Sequence, residues 1–261
     1  MNQAWEIKAL VEQTKKEGKL IPSKQTNKVY KVDRAIGTML KTAIKQNYND
    51  KEGYYESITF HDDDDTYVID VSERTLYTTS ITDIIRKVEG KSNRNDNLAN
   101  NMKHNTSNGY YSIWLKVSGV KVSITLHALI CCMTCGENNE VFKALTQYKY
   151  AGGHSLELNH TCTAAYMGNL RPVKAAAAVV HPHYIELTSV KQNRDHGKNV
   201  VTYKKYLANN ITLRNITYKD SIILYGMINS AEQENRGTDY INTLIDNYYR
   251  RTDREPEVQF I

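Results

Sequence analysis

The sequence predicts an α+β fold, and three features of its pattern carry this prediction. Apolar residues recur at helical spacing toward both ends of the chain, strictly alternating segments lie between them, and no internal repeat is visible. The 261 residues are 40% hydrophobic and 24% charged, which is typical of a globular protein. The longest apolar runs span six residues, at 128–133 and 175–180, whereas a membrane-spanning helix needs about 20. The sequence therefore excludes a transmembrane helix.

The first 95 residues predict an N-terminal α+β module. The period of the apolar residues gives its elements in order, which are helices over 2–18 and 36–44, strands over 54–60 and 67–71, and a short helix over 80–90. His61 and the four aspartates after it form the turn between the two strands. We interpret this acidic turn as solvated rather than as a cation site.

The central region begins after residues 91–108, which are almost wholly polar and rich in asparagine and therefore mark the main boundary. The Ser118-Gly119 pair predicts the turn of a hairpin. The predicted central elements are strands over 111–117 and 120–126, a helix over 127–135, strands over 156–158 and 184–187, and a helix that begins near Thr188 or Ser189.

Two further helical patterns, over 222–228 and 240–248, predict a helical C-terminal extension. The chain is thus divided into three regions. These are an N-terminal α+β module over 1–95, a central core over 96–200 and the helical extension over 201–261.

The charge distribution suits a polyanionic partner. Residues 1–45 carry a net charge of +6 and residues 46–83 one of −8, and since the whole chain carries +5, residues 84–261 carry +7. Basic regions on either side of an acidic one favour a nucleic acid, because each neutralised phosphate releases counterions. A solvated lysine-rich surface gives the same pattern, so charge alone leaves both interpretations open.

The expected cellular compartment decides how the four cysteines are interpreted. The N-terminal residues alternate charged and apolar side chains without an apolar signal core, so we expect the protein in the cytoplasm. Four cysteines in a reducing compartment are thiols or metal ligands rather than disulfides. Cys132 and Cys135 form a C-x-x-C pair and Cys162 follows, but a second pair is missing. We therefore favour buried thiols over a structural Zn²⁺ site.

One constellation in the central region has the residue types for hydrolysis. A strand ends at Asn159-His160, a second strand follows after a loop, and the next helix carries Asn193 and His196 on one face. Asn159 points away from His160 unless the strand has ended. Hydrolysis of a phosphodiester needs a base and a cation that stabilises the developing charge, and a histidine with a pKa of about 6.5 can serve as that base. We expect His160 to face Asn193 across a gap that holds one divalent ion.

In order and spacing, these segments resemble the HNH endonucleases of the ββα-metal class, especially the phage-encoded and intron-encoded homing type. The resemblance covers about residues 109–198. It rests on the hairpin and helix GYYSIWLKVSGVKVSITLHALI, on LELNH, and on the ending HYIELTSVKQNRDHG. It implies a ββα-metal core and metal-dependent hydrolysis of DNA, with a nick from one active site and a double-strand cut from a dimer or sequential action.

The resemblance also implies roles for individual residues. His160 corresponds to the general base, and Asn159 to a metal ligand at a position where the family usually has Asp. Asn193 corresponds to the second metal ligand, and His196 to a further ligand or a phosphate contact. His127 corresponds to a histidine on the helix that follows the family's first strand pair.

The middle Asn of the family's name has three candidate counterparts in this sequence. Register with Asn193 puts Tyr184 at that position, with His183 beside it. Asn169 is the third candidate, because its Gly-Asn-Leu context also resembles the family pattern. The sequence leaves the three alternatives open.

The resemblance implies Mg²⁺ or Mn²⁺ as the cofactor. Magnesium is normally held by carboxylates together with substrate phosphates. Because Asn159 and Asn193 are both neutral, we expect the free protein to bind the ion weakly and to recruit it mainly with DNA. Phosphate contacts are expected from five basic residues, namely Arg171, Lys174, Lys191, Arg194 and Lys198.

The same residues are consistent with a second function, a non-catalytic DNA-binding protein on a degenerate HNH core. The missing carboxylates and the replaced middle Asn motivate this alternative. In both interpretations the partner is DNA, no membrane is involved, and a phage-encoded protein would act in the cytoplasm of the host cell. The oligomeric state and the target sequence stay open.

Overall fold

The computed structural model shows an α+β protein made of small antiparallel sheets and helices. The part of the chain that it describes comprises residues 11–24, 26–72, 75, 81–90, 103–104, 110–135, 140–150, 155–162, 180–207, 212–213, 215–251 and 258–259.

The helices that have defined bounds are numbered in chain order, and residues 11–16 are helical as well. They are α1 (Asn27–Thr42), α2 (Ile81–Ile84), α3 (Leu126–Thr134), α4 (Glu140–Gln147), α5 (Val190–Leu207), α6 (Tyr218–Gln233) and α7 (Thr238–Arg251). The longer strands are β2 (Ile44–Asn49), β3 (Tyr54–His61), β4 (Asp65–Asp70), β5 (Ile85–Gly90), β7 (Tyr111–Val117), β8 (Val120–Thr125), β10 (Leu156–His160) and β11 (Ile185–Ser189). The short ones are β1 (Leu20–Pro22), β6 (Lys103–His104), β9 (Tyr148–Tyr150), β12 (Thr212–Leu213) and β13 (Val258–Gln259).

All the sheets are antiparallel. The largest has the order β2-β3-β4-β5, and a second has the order β6-β7-β8. The remaining three are the pairs β1-β9, β10-β11 and β12-β13. Because β1 pairs with β9, a strand from the N-terminal region is joined to one from the central region.

In the N-terminal region, the predicted hairpin is confirmed as β3 and β4, and the predicted helices over 36–44 and 80–90 are found in α1 and α2, but their C-terminal ends are wrong. Ile44 does not end a helix; it begins β2 and pairs with Thr59 of β3. The helix predicted over 80–90 stops at Ile84, and the chain continues as β5, an edge strand beside β4. In both places pairing with a neighbouring strand overrides the local helical pattern. Residues 2–10 of the first predicted helix lie outside the described residues.

The predicted hairpin of the central region is confirmed as β7 and β8. Ser118 and Gly119, its two turn residues, have φ of 51° and 74°, as this tight turn requires. The acidic turn after β3 packs against it, since the Asp63 carboxylate accepts hydrogen bonds from the Ser118 and Gly119 amides at 2.6 and 2.7 Å. Asp63 therefore joins the two larger sheets.

Among the residues that the structure describes, the buried apolar side chains form two clusters. The first contains residues from Val11 to Leu187 and draws on α1, both larger sheets, α3, α4 and the β10-β11 pair. Within the described residues, the predicted boundary near residue 95 therefore does not separate two cores. The second cluster is built from α5, α6 and α7, which include both predicted C-terminal helices. None of the described helices has the length and apolarity needed to cross a bilayer.

Candidate active site

The candidate site is built on the antiparallel pair β10-β11. In its register, Glu157 lies opposite Thr188 and Asn159 lies opposite Glu186. Alternate residues of a strand point to opposite sides of a sheet, so these four side chains share one face, which we call the oxygen-donor face. The other face carries Leu156, Leu158 and His160 of β10 together with Ile185, Leu187 and Ser189 of β11. We call it the imidazole face.

Helix α5 follows β11 directly and covers the oxygen-donor face. Its start is fixed by a reciprocal capping box, in which Gln192 Oε1 accepts from the Ser189 amide at 2.8 Å and Ser189 Oγ accepts from the Gln192 amide at 3.2 Å. No loop separates strand from helix, so the first turns of α5 pack on both strands. The sequence prediction that a helix begins near Ser189 is confirmed.

The two amides that the sequence singled out, Asn159 and Asn193, lie on this face and each contacts a carboxylate. Asn159 Nδ2 donates to Glu186 Oε1 at 2.6 Å, and Asn193 Nδ2 donates to Glu157 Oε2 at 2.8 Å. The backbone amide of Tyr218, at the start of α6, also donates to Glu186 Oε1, at 2.7 Å. Two glutamates, which the sequence analysis did not consider, therefore lie beside the two asparagines.

Two oxygen atoms of the oxygen-donor face have no hydrogen-bond partner within the described structure. They are Asn159 Oδ1 and Thr188 Oγ1, and their residues are 0% and 4% exposed. Buried polar atoms without partners are rare in folded proteins. Carboxylate, amide and hydroxyl oxygens are the donor types that Mg²⁺, Mn²⁺ and Ca²⁺ prefer. The residues of this face therefore fit a hard divalent cation.

His160 lies on the other face. Its ring stacks on Tyr110 with 5.0 Å between centroids and contacts the edge of His127 at 4.6 Å. Burial, together with repulsion from His127 and His196, keeps the pKa of His160 well below its ordinary value. Burial also lowers the pKa of His127, to about 4. Both imidazoles are consequently neutral at pH 7.

The expectation that His160 faces Asn193 across one gap is not what the structure shows. Strand pairing continues through His160, which lies opposite Ile185, so alternation sends the Asn159 and His160 side chains to opposite faces. Asn193 contacts the oxygen-donor face through Glu157. His160 is nevertheless the last residue of β10, at the end of the pair.

His196 is buried on α5 one turn beyond Asn193. Its Nε2 pairs at 2.8 Å with the carbonyl of Ile216, the residue before the N-cap of α6. Burial lowers the pKa of His196 to about 4, although the hydrogen bond to Ile216 opposes this shift. This nitrogen is occupied by a backbone carbonyl, so the structure does not bring it to the oxygen-donor face as a ligand.

The candidates for the middle position of the motif are placed differently. Tyr184 is fully buried, and its carbonyl accepts a hydrogen bond from the Thr161 amide at 2.9 Å, one position beyond His160. His183 points toward the N-terminal sheet, where its Nδ1 lies 3.5 Å from Glu52 Oε2. Asn169 lies outside the described residues. Of the candidates that are described, only Tyr184 adjoins the end of β10.

Three of the predicted phosphate contacts, Lys191, Arg194 and Lys198, are exposed on α5. Their spacing of three and four residues puts them on one side of the helix. Lys191 pairs with Asp195 at 2.8 Å. The other two predicted contacts, Arg171 and Lys174, lie outside the described residues.

The cysteines form no metal cluster in the described part of the chain, where no group of three or more His, Cys, Asp or Glu side chains is arranged to hold a metal. Cys131, Cys132, Cys135 and Cys162 are all buried. Burial raises the pKa of the Cys132 thiol well above its ordinary value, so it stays protonated at neutral pH.

Sequence reasoning missed Glu157, Glu186 and Thr188 as members of the site. The alternation of LELNH and IELTS contained the signal, since Glu157 lies two residues before Asn159 and Thr188 two residues after Glu186. What the sequence did not provide was the pairing of the two strands, which brings these residues onto one face.

Comparisons of the chain with protein-family models, with curated proteins and with solved structures find no match.

Proposed function

We propose that this protein is a metal-dependent DNA endonuclease with an HNH-like ββα core. The observation that supports the proposal best is the oxygen-donor face itself. Two antiparallel strands and the helix that directly follows them bring Asn159 and Asn193 together with two carboxylates at 2.6 and 2.8 Å. Oxygen donors of this type hold the divalent cations that assist phosphodiester hydrolysis, and the order of two strands and a helix agrees with the resemblance to the HNH endonucleases.

The side chains that would hold the cation are Glu157, Asn159, Glu186 and Thr188, and Asn193 would orient Glu157. When bound there, Mg²⁺ or Mn²⁺ supplies the positive charge that stabilises a pentavalent phosphorane and the leaving oxygen. The protein's own contribution is to fix the donors. Glu186 is held by Asn159 and by the Tyr218 amide, and Glu157 is held by Asn193. Each carboxylate is thus restrained before substrate binds.

His160 takes the proton from the attacking water in this proposal. Its lowered pKa keeps the ring neutral at pH 7, the form that accepts a proton. His160 is the last residue of β10, where the pairing with β11 ends. Stacking on Tyr110 and contact with His127 restrict its orientation.

DNA binding is assigned to the outer side of α5. Lys191, Arg194 and Lys198 are exposed there, whereas Asn193 of the same helix faces the hairpin. A helix that presents basic residues outward and oxygen donors inward would bring a phosphate backbone close to the cation.

Incubation of supercoiled plasmid with the full chain and Mn²⁺ or Mg²⁺ tests the proposal. We expect nicked circles, no product when EDTA removes the cation, and a strong loss of product with His160→Ala. The exposed histidine variant His61→Ala is the matched control and should cleave like the wild type. Equal cleavage by His160→Ala and wild type would remove His160 from the mechanism.

A non-catalytic DNA-binding protein is the second candidate, and the position of His160 favours it. A base on the face opposite the predicted cation ligands is the arrangement expected of a core that has lost catalysis. This alternative predicts salt-sensitive binding of duplex DNA with no product under any divalent cation.

A further inference from the structure

We infer that the free protein binds one hard divalent cation on the oxygen-donor face without DNA, with Glu157 and Glu186 as the charged ligands and Asn159 and Thr188 as neutral ones. The inference rests on the same site as the proposed function and names its ligands. It replaces the expectation, drawn from the two asparagines alone, that the ion arrives mainly with DNA.

The four side chains form two directly opposed cross-strand pairs. Glu157 pairs with Thr188 and Asn159 with Glu186, two residues apart along each strand. Directly opposed residues of an antiparallel pair have Cβ atoms about 4.5–5.5 Å apart. The two carboxylates therefore lie on one diagonal of a compact quartet, and the amide and the hydroxyl lie on the other. In the inferred site, a cation within this quartet would be bound by oxygen atoms of these four side chains.

The buried oxygens give an independent reason for a ligand. Asn159 is fully buried, yet Oδ1 has no partner in the described structure, while Nδ2 of the same amide is directed to Glu186. Thr188 Oγ1 is in the same situation on the opposing strand. Buried polar atoms are normally satisfied by protein, water or a ligand. An ion coordinated by the carboxylates would satisfy both oxygens.

The charge of the face supports a cation rather than an anion or a neutral ligand. Three neutral donors reach the carboxylates, namely Asn159, Asn193 and the Tyr218 amide. These hydrogen bonds come from neutral groups and orient the two glutamates. A divalent cation would add positive charge beside the two carboxylates.

The donor types identify the class of cation. All four ligands offer oxygen, and no cysteine or histidine belongs to the quartet. Oxygen-only sites select Mg²⁺, Mn²⁺ or Ca²⁺, whereas Zn²⁺ favours sulfur and nitrogen. His160, the nearest imidazole along the strand, points to the other face. We therefore expect Mn²⁺, Mg²⁺ and Ca²⁺ to compete for this site.

Titration of the full-length free protein with Mn²⁺, followed by the electron paramagnetic resonance signal of the hydrated ion, tests the inference. We expect one bound Mn²⁺ per chain in the absence of DNA, displaced by Mg²⁺ or Ca²⁺. Glu157→Gln and Glu186→Gln should each weaken binding about tenfold or more, and Thr188→Val should weaken it less. Glu89→Gln, at an exposed glutamate on β5, is the control and should bind like the wild type.

Loss of structure is separated from loss of ligands by thermal unfolding. The glutamine variants keep the size of the side chain and remove one of two neighbouring negative charges. Without metal they should unfold at the wild-type temperature or above, and only the wild type and Glu89→Gln should gain stability from Mn²⁺. Thr188→Val, which leaves both carboxylates in place, gives a second test if a glutamine variant fails to fold.

The outcomes distinguish the inference from the proposed function. Mn²⁺ bound by the free protein, without cleavage of any plasmid, supports the inference and refutes the nuclease. Cleavage without measurable binding in the absence of DNA overturns the inference and leaves the nuclease in place. Wild-type affinity in Glu157→Gln and Glu186→Gln also overturns it.

Discussion

The two faces of the β10-β11 pair are made by alternate residues of the same two strands, yet they differ in chemistry. One face carries leucines and the His160 ring into the main core, beside Tyr110 and His127. The other carries two carboxylates, an amide and a hydroxyl under α5. Asn159 and His160 are neighbours in sequence, but successive side chains of a strand point to opposite faces of the sheet. The strand therefore separates these two side chains rather than bringing them together.

The ionisable side chains of the two faces are in different environments. On the imidazole face, desolvation suppresses charge and keeps His127 and His160 neutral. On the oxygen-donor face, amide donors restrain the carboxylates of Glu157 and Glu186. In the proposed mechanism the imidazole face takes part in proton transfer and the oxygen-donor face binds the cation. Mutations that affect one face only would separate these two roles.

The largest expected effect is on cleavage by His160→Ala. Loss of a general base lowers the rate about 10²- to 10⁴-fold, while the Mn²⁺ affinity of the free protein should be unchanged because the ring lies on the other face. Plasmid nicking and Mn²⁺ titration of the same preparation measure both quantities. A parallel loss of Mn²⁺ binding in a folded His160→Ala variant would show that the faces are not independent.

The second effect is acid destabilisation from the buried histidines. His127 and His196 have pKa values of about 4 in the folded protein and about 6.5 when unfolded. The unfolded chain binds more protons between these values, so stability is complete above pH 6.5 and is lost as the pH falls toward 4. Each histidine should contribute a loss of roughly 3 kcal/mol across this window.

Urea unfolding at pH 7 and pH 4.5 measures this loss. His196→Asn should have a smaller difference between the two pH values than the wild type, whatever its stability at pH 7. The same pH dependence in both proteins would contradict the placement of His196 as a buried neutral ring.

The third effect is on stability and concerns Asn159→Asp, which introduces the residue that the HNH endonucleases usually have at the position that Asn159 resembles. The substitution removes the donor to Glu186 Oε1 and puts a third carboxylate on the oxygen-donor face. We expect the metal-free protein to lose about 1–3 kcal/mol and Mn²⁺ to restore it. Thermal unfolding with and without Mn²⁺ checks this, with Asn229→Asp on the exposed side of α6 as the control. A variant as stable as the wild type without metal would argue against close contact of residues 159 and 186.

The smallest effect is expected on the outer side of α5. Arg194→Gln should reduce the slope of log K for DNA binding against log salt by about 0.9, as for one phosphate contact. Lys191→Gln should change it less, because Lys191 already pairs with Asp195. Fluorescence anisotropy of a labelled duplex at several salt concentrations measures the slopes. An unchanged slope in Arg194→Gln would move the DNA contact away from α5.

The elements of the candidate site could be predicted from sequence because each has a local signal. Alternation gives β10 and β11, and the Ser189 to Gln192 capping box gives the start of α5. Elements that depend on distant partners could not be predicted. Pairing of β1 with β9 joins Leu20 to Tyr150, and β5 exists as a strand because β4 lies beside it.

The dependence on distant partners also explains which site residues were identified from the sequence and which were missed. Asn159 and Asn193 were identified from their places at a strand end and on the following helix, and from the resemblance. Glu157 and Glu186 belong to the site only because the register puts Asn159 opposite Glu186 and because α5 brings Asn193 to Glu157. Those are long-range relations, and no local pattern specifies them. The face occupied by His160 depended on how far the strand extends, which the structure settles at residue 160.

The dependence of plasmid nicking on Mn²⁺ concentration tests the separation of the two faces most directly. We expect His160→Ala to lower the maximal rate and to leave the Mn²⁺ midpoint at its wild-type value. Asn193→Ala, which removes the donor that restrains Glu157, should instead shift the midpoint to higher Mn²⁺. Identical midpoint shifts in the two variants, or no nicking by the wild type at any Mn²⁺ concentration, would contradict this expectation.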